Sequence, residues 1–307
     1  MSILVVGSVA FDTIKSQHGI AEKIIGGAAT YFSLAASYFT DVRIVAVVGD
    51  DFTSVHENVL KSHHIDTSGL MRAPGKSFHW GGEYGENLNE AKTLFTHLNV
   101  FENFDPKVPP QYKNTEFLFL ANIDPVLQAK VRRQLNGVRL VGGDTMNFWI
   151  NGKRDDLMET LKLVDVLLIN DTEAKMLARD SSLPRAADKV LTFGPKALVI
   201  KHGEYGATVF FRDGAFGLGH HPFRAPALPI AEVIDPTGAG DSFAGGFMGY
   251  IASQGEVTRE VLKRAMFYGG VMGSFAVERF GPERLQSLQR DEIDERFRVF
   301  RELTHLS

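Results

Sequence analysis

In the stretch "DPTGAGDSFAGGF", Asp235 to Phe247, three residues with almost no side chain, Gly238, Ala239 and Gly240, stand directly before Asp241. Behind Asp241 runs an apolar, small-residue segment that reads as a helix. A helix N-terminus presents unpaired backbone N–H groups and the positive end of the helix dipole. Where the side chains are missing, an anionic oxygen approaches those amides closely. A carboxylate at the lip of such an anion hole suits phosphoryl transfer to an alcohol. Asp241 takes the hydroxyl proton, and the amides of Gly238, Ala239 and Gly240 stabilise charge on the moving phosphate. Taken alone, "GAGD" is also an ordinary helix start capped by Asp.

The elements that must carry this turn are legible in the apolar runs. "ILVVGSV", "VRIVAVVG", "FLFLAN", "VRLVGGD", "VDVLLIN" and "ALVIKHG" lack clean alternation, as strands buried on both faces of a parallel sheet do. Segments of helical spacing lie between them, such as "AATYFSLAASYF" and "DFTSVHENVLKSHH". The alternation predicts an α/β fold, a Rossmann-like, doubly wound, mainly parallel sheet with helices on both faces. After Asp241 the pattern turns helical over 242–253, 259–277 and 291–303. Residues 77–101 break the rule. Phe78, Trp80 and Tyr84 fall on one side of an alternating strand and His79 and Glu83 on the other, with a turn near "GENLN". With residues 12–25 as further strand, this predicts a small β lid on a single domain spanning residues 1–307.

Four further motifs lie in chain order. "GSVAFD" ends the first strand in Asp12. "IIGGAATYFSLAAS" places Gly26 and Gly27 at the opening of a helix. "NDTE" brings Asn170 and Glu173 after a strand, a spacing that also reads as a capping box. "VIKHGEYGATVF" is a strand–turn–strand containing Lys201 and Gly203. Together with "DPTGAGD" they resemble the ribokinase-like (PfkB) family of carbohydrate and nucleoside kinases, from about Ile3 to beyond Phe280. The resemblance implies an ATP-dependent kinase with Asp241 as general base and Gly238, Ala239 and Gly240 as anion hole. It implies that Asp12 accepts from a substrate hydroxyl, and that Gly26 and Gly27 let the chain approach the substrate. By the same resemblance, Asn170 and Glu173 organise Mg²⁺ and phosphates through water, and Lys201 and Gly203 lie near the nucleotide. Gly270 and Ser274 border the adenine. Small residues at those two positions equally suit helix packing. A homodimer through the lid, and a monovalent cation such as K⁺ near 234–235 and 275–281, occur among relatives.

Two positions depart from the sugar-kinase pattern. Ala10 stands two residues before the strand-end acid, and Tyr31 four residues after the paired glycines, where many members carry Asn. An aromatic ring thus replaces an amide contact to a polyol. With Phe78, Trp80, Tyr84, Phe148 and Trp149, Tyr31 leans the expected acceptor towards a ribonucleoside such as adenosine. A free-sugar kinase, and a catalytically silent kinase fold retained as a ligand-binding regulator, are the alternatives.

The composition narrows the field. The 307 residues contain no cysteine, which removes thiolate metal sites and cysteine nucleophiles. A net charge of −4 with scattered Lys and Arg gives no nucleic-acid footprint. No run is apolar enough for a membrane span, and the N-terminus lacks a signal-peptide pattern, so a cytoplasmic protein is expected. No P-loop or dinucleotide Gly-x-Gly-x-x-Gly turn opens the chain, and "GDSFA" around Ser242 lacks the last glycine of a nucleophile elbow.

Overall fold

The computed structural model describes residues 1–217 and 221–304. The strands begin with β1 (Ser2–Val6), β2 (Ala10–Ser16), β3 (Gly19–Gly26), β4 (Asp41–Val48), β5 (Asp66–Arg72), β6 (His79–Tyr84) and β7 (Ala91–His97). They continue with β8 (Phe117–Leu120), β9 (Leu140–Gly143), β10 (Val166–Asn170), β11 (Ala197–Lys201), β12 (Ala207–Phe211) and β13 (Phe223–Ala225). Among the described residues they form a nine-stranded sheet, in the order β13-β12-β11-β10-β9-β8-β1-β4-β5, and a four-stranded sheet, β3-β2-β6-β7.

From β11 to β5 every neighbour pair of the large sheet is parallel; β12 and β13 add an antiparallel edge. The apolar runs explain this arrangement. In β1, Ile3, Leu4, Val5 and Val6 are all fully buried, so neither face meets water. Helices α1 (Ala28–Ser37) and α2 (Ser54–Ser62) cover one face. Helices α3 (Pro125–Arg133), α4 (Asn147–Gly152), α5 (Arg154–Leu161), α6 (Asp171–Ala178) and α7 (Leu183–Leu191) cover the other. Helices α8 (Ala239–Gln254), α9 (Arg259–Ala276), α10 (Glu283–Ser287) and α11 (Arg290–Glu302) return to the first face. Two apolar cores result, one on each side of the sheet. No helix among the described residues is long and apolar enough to cross a membrane.

The second sheet is assembled from two distant pieces of chain. The hairpin of β2 and β3 leaves the large sheet after β1, and the antiparallel pair β6 and β7 leaves it after β5. They join by parallel pairing of β2 with β6, in which Asp12 stands beside Trp80. A parallel pair in register sends both side chains to the same face, and the two-residue period places Tyr84 on it as well. Tyr84 ties this sheet to the "DPTGAGD" turn: the Thr237 hydroxyl lies 3.1 Å from its phenol oxygen.

Candidate active site

The carboxyl ends of the parallel strands and the N-terminus of α8 meet at one edge, where open α/β sheets bind ligands. Asp12 arrives there on β2. It is 4% exposed, and its carboxylate lies over Gly26, where any Cβ would fall inside it. Burial pushes its pKa up to about 7, with Asp235 and Asp241 adding to the rise and the Gly27 amide opposing it. Gly27 adopts φ +92°, and a Cβ there would stand 2.5 Å from the Ser8 carbonyl oxygen. Ser8 secures the start of α1 in place of a capping side chain at Gly27: its Oγ accepts from the Ala28 amide at 3.0 Å and its carbonyl from Ala29 at 3.0 Å.

Asp241 lies in the first turn of α8, whose N-cap, Gly238, is left-handed at φ +74°. The missing Cβ of Gly238 leaves room for the Tyr31 ring, which packs directly against it. Tyr31 is 1% exposed, its hydroxyl has no hydrogen-bond partner among the described residues, and burial followed by the Asp12 charge drives its pKa upward. Of the three residues expected to form an anion hole, Ala239 already donates its amide to the Pro236 carbonyl at 3.2 Å, so that amide is engaged within the turn. Burial, then the charge of Asp144, lifts the Asp241 carboxyl to about 7 against the pull of Lys201 and of its own N–H. Asp235, the first acid of the signature, is a brace: fully buried, it accepts from the amides of Thr237 and Gly281, each at 2.8 Å. Ser242 is also fully buried, with its hydroxyl donating to the Gly238 carbonyl at 2.7 Å, so it offers no nucleophile.

Asn170 and Glu173 form the reciprocal capping box of α6. Glu173 N–H donates to Asn170 Oδ1 and Asn170 N–H to Glu173 Oε2, both at 2.8 Å. Burial and then Asp144 raise Glu173 to about 7, with Lys201 and the Asn170 amide opposing. Lys201, which as an exposed strand end would have meant little, has a side chain only 17% exposed, with Nζ 3.4 Å from Asp144 Oδ2. Burial works against its charge, but Asp144, Glu173 and Asp241 outweigh it and its pKa is raised.

The structure thus gathers Asp12, Gly26, Gly27, Tyr31, Asn170, Glu173, Lys201, Gly238, Gly240 and Asp241 at one edge. Gly203 sits close by, under Asn89 of the β6–β7 turn. It does not bring Gly270 and Ser274 there. Gly270 backs onto the Phe300 ring, and the Ser274 hydroxyl receives Arg296 at 3.2 Å, so both face α11. Between β13, α9 and α11 a cavity of about 700 Å³ opens, lined by Phe223, Phe267, Lys263 and Arg264 among others. Among the aromatics, Phe78 stacks on Phe101 at 5.4 Å, Phe148 is 63% exposed and Trp149 donates to Asn122 Oδ1. Tyr31 and Tyr84 reach the cluster, and Trp80 shares the face of Asp12. Asp144 is the residue that motif reading missed. "VRLVGGD" closes a strand with an acid, and that was the available signal. Asp12, expected at the end of the first strand, instead lies within β2, because β1 stops at Val6 and the chain starts a new strand in the second sheet.

The profile of the pfkB family carbohydrate kinases matches residues 2–287. A cytidine kinase of Thermococcus kodakarensis is 30% identical over 280 residues, covering 86% of this chain and 97% of that protein. The Burkholderia thailandensis nucleoside kinase solved with ADP and inosine superposes with a TM-score of 0.76 at 21% identity, covering 97% of this chain and 95% of its own. An E. coli protein solved with ATP and Mg²⁺ gives a TM-score of 0.79 at 20% identity, over 97% of this chain and 99% of its own.

Proposed function

The chain belongs to the pfkB family of carbohydrate kinases, and from that premise we propose that it phosphorylates a primary hydroxyl of a ribonucleoside. As a member it is a phosphotransferase with an alcohol acceptor of the sugar or nucleoside class, using ATP with Mg²⁺. The observation that carries the finer reading is the company of Asp12. The ring of Trp80 shares its face of the second sheet, and the Asp12 charge reaches the phenols of Tyr31 and Tyr84, adding to the rise that burial gives both. A carboxylate among flat rings suits a ribose whose base stacks beside it. The cytidine kinase and nucleoside kinase relatives support that choice.

In this reading Asp12 accepts from ribose hydroxyls and Asp241 accepts the proton of the attacking hydroxyl. Its pKa near 7 suits a group that must take a proton at neutral pH. The amides around Gly238 and Gly240 receive the charge of the transferring phosphoryl. The residues fit a magnesium nucleotide. Lys201 and the α8 N-terminus would hold the phosphates, while Asn170 and Glu173 would hold the magnesium through water, Glu173 being raised to about 7 by burial and by Asp144. Bound magnesium offsets charge on the phosphate oxygens. The second sheet serves as a lid, made of residues 12–25 and 77–101, that closes on the acceptor and excludes water.

Edge strand β7, with Leu94 47% exposed and Leu98 just beyond it 42% exposed, supports pairing of two chains through their lids. Light scattering that gives a monomer at working concentration would end that proposal. Dependence of rate on K⁺ tests the cation near 234–235 and 275–281.

The test of the function is ADP release from MgATP across ribonucleosides, pentoses, hexoses and sugar phosphates, with wild type beside Asp241→Asn. Turnover with nucleosides that collapses in the variant is expected. Turnover with sugars alone would refute the nucleoside reading and leave Tyr31 and Trp80 as packing. Ligand binding with no turnover on any acceptor would point to a regulator.

A further inference from the structure

We propose that Asp144 is a positioning residue that holds the Lys201 ammonium over the backbone of Gly240, where it meets the phosphoryl group in transfer. The inference rests on the phosphotransfer reading above. Strands β9, β10 and β11 run parallel and end at the same edge. Asp144 is the first residue beyond β9 and Lys201 the last of β11, with Asn170 of β10 between them in register with Lys201. Two strand spacings separate their backbones by roughly 10 Å. The carboxylate and the ammonium meet because the long Lys201 side chain crosses that gap, bringing Nζ to 3.4 Å from Asp144 Oδ2. On its other side, Nζ lies 3.0 Å from where a Cβ of Gly240 would stand.

This is an unfavourable place for a lone cation. Gly240 belongs to the first turn of α8, whose positive end repels an ammonium. A carboxylate has to hold it there, and among the described residues Asp144 is the acid within ion-pair distance. Glu173 and Asp241 lie beyond ion-pair distance and act on Lys201 through charge alone, with Glu173 Oε2 accepting from the Asn170 amide. Asp144 itself is firmly set. Its amide donates to the Leu120 carbonyl at 2.9 Å, its carbonyl accepts from Gln128 Nε2 at 2.9 Å, and its Oδ1 accepts from the Thr145 amide at 2.8 Å. Only Oδ2 is left to face Lys201. An anionic phosphoryl oxygen arriving between the α8 amides and this ammonium is attracted by both. Gly240 accordingly has a second duty beside baring its amide: it leaves space for Nζ.

The experiment is a double-mutant cycle read as kcat, KM for acceptor and KM for ATP. Lys201→Met should lower kcat by about 10²–10³-fold, the loss typical of one oxyanion donor. Asp144→Asn, which keeps an oxygen for the Thr145 amide, should lower kcat at least about tenfold with acceptor KM unchanged. Added to Lys201→Met it should cost nothing further, because groups acting through one another are not additive. Losses that multiply in the double variant overturn the proposal. So does a change in Mg²⁺ dependence that Asp144→Asn produces equally in both backgrounds, which would make Asp144 a metal ligand. Should Asp144→Asn fail to fold, Asp144→Glu probes the same contact: it keeps the carboxylate but displaces it, and should lower kcat in the wild-type background while costing nothing further in Lys201→Met. A wild type inactive on every acceptor defeats the phosphotransfer reading itself, whereas an active wild type with multiplying losses defeats only this inference.

Discussion

Gly26 and Gly27 are adjacent, yet the structure gives them different duties that mutation can separate. A methyl at residue 26 falls on the Asp12 carboxylate, while a methyl at residue 27 is forced into φ +92° beside the Ser8 carbonyl. Gly26→Ala should therefore raise acceptor KM by roughly tenfold or more, about the value of one displaced charged hydrogen bond, with little change in melting temperature. Gly27→Ala should lower the melting temperature, because an alanine in a left-handed setting is strained. Steady-state kinetics and a thermal melt on the two variants read both outcomes. With Asp241 as the proposed base, its carboxyl near 7 should set the pH profile. A general base must be ionised, so kcat should fall as the pH drops through about 7, and Asp241→Asn should flatten that limb while losing about 10²–10⁴-fold in rate. At this scale the glycine–acid motifs were legible because they are local: neighbours in sequence are neighbours in the site. Asp144 and Ser8 were not read. Asp144 acquires its meaning from Lys201, two strands away in space, and Ser8 from the amides it caps twenty residues later.

At the scale of elements, the inner strands were legible wherever both faces are buried, since continuous Val, Ile and Leu runs leave little else to be. β5 (Asp66–Arg72) was not, because its edge position leaves "DTSGLMR" half polar. The parallel pairing of β2 with β6 could not be read either: nothing local marks Phe11 and His79 as partners. The tip of the β6–β7 turn makes a testable contact. Asn89 Oδ1 occupies the space that a Cβ on Gly203 would need, so the turn rests on the loop after β11. If the second sheet closes over the acceptor, ADP release without acceptor should be far slower than transfer, and Gly203→Ala should raise the ratio of hydrolysis to transfer by prying the turn away. An unchanged ratio in that variant, or rapid hydrolysis in the wild type, would show that this contact does not guard the site.

For the molecule as a whole, the same carboxylates proposed to do chemistry weigh on stability. Asp12, Glu173 and Asp241 are each lifted to about 7 in the folded chain, against about 4 when unfolded. A carboxyl whose folded value is raised binds its proton more tightly in the native state. Its contribution is full below about pH 4 and is lost as the pH rises through 7. Asp51, Glu57 and Asp66 are shifted the other way by hydrogen bonds and cations, although burial opposes each of them, and their contribution disappears only in acid. The ligand-free protein should therefore melt higher near pH 5.5 than at pH 8, with the trend reversing below about pH 4. A melting series across that range checks it, and a maximum above pH 7 would contradict the raised values.

The second sheet joins two excursions of the chain separated by more than fifty residues, and Asp12 on one borders Trp80 on the other. If this sheet reads the acceptor as proposed, acceptor preference is inherited as a matched pair of segments. A drift in one excursion has to be answered in the other, and a graft of either alone from a relative would set a foreign strand against a resident one. Exchanging the pair together would move the preference as a unit and leave the phosphate machinery at α8 where it was.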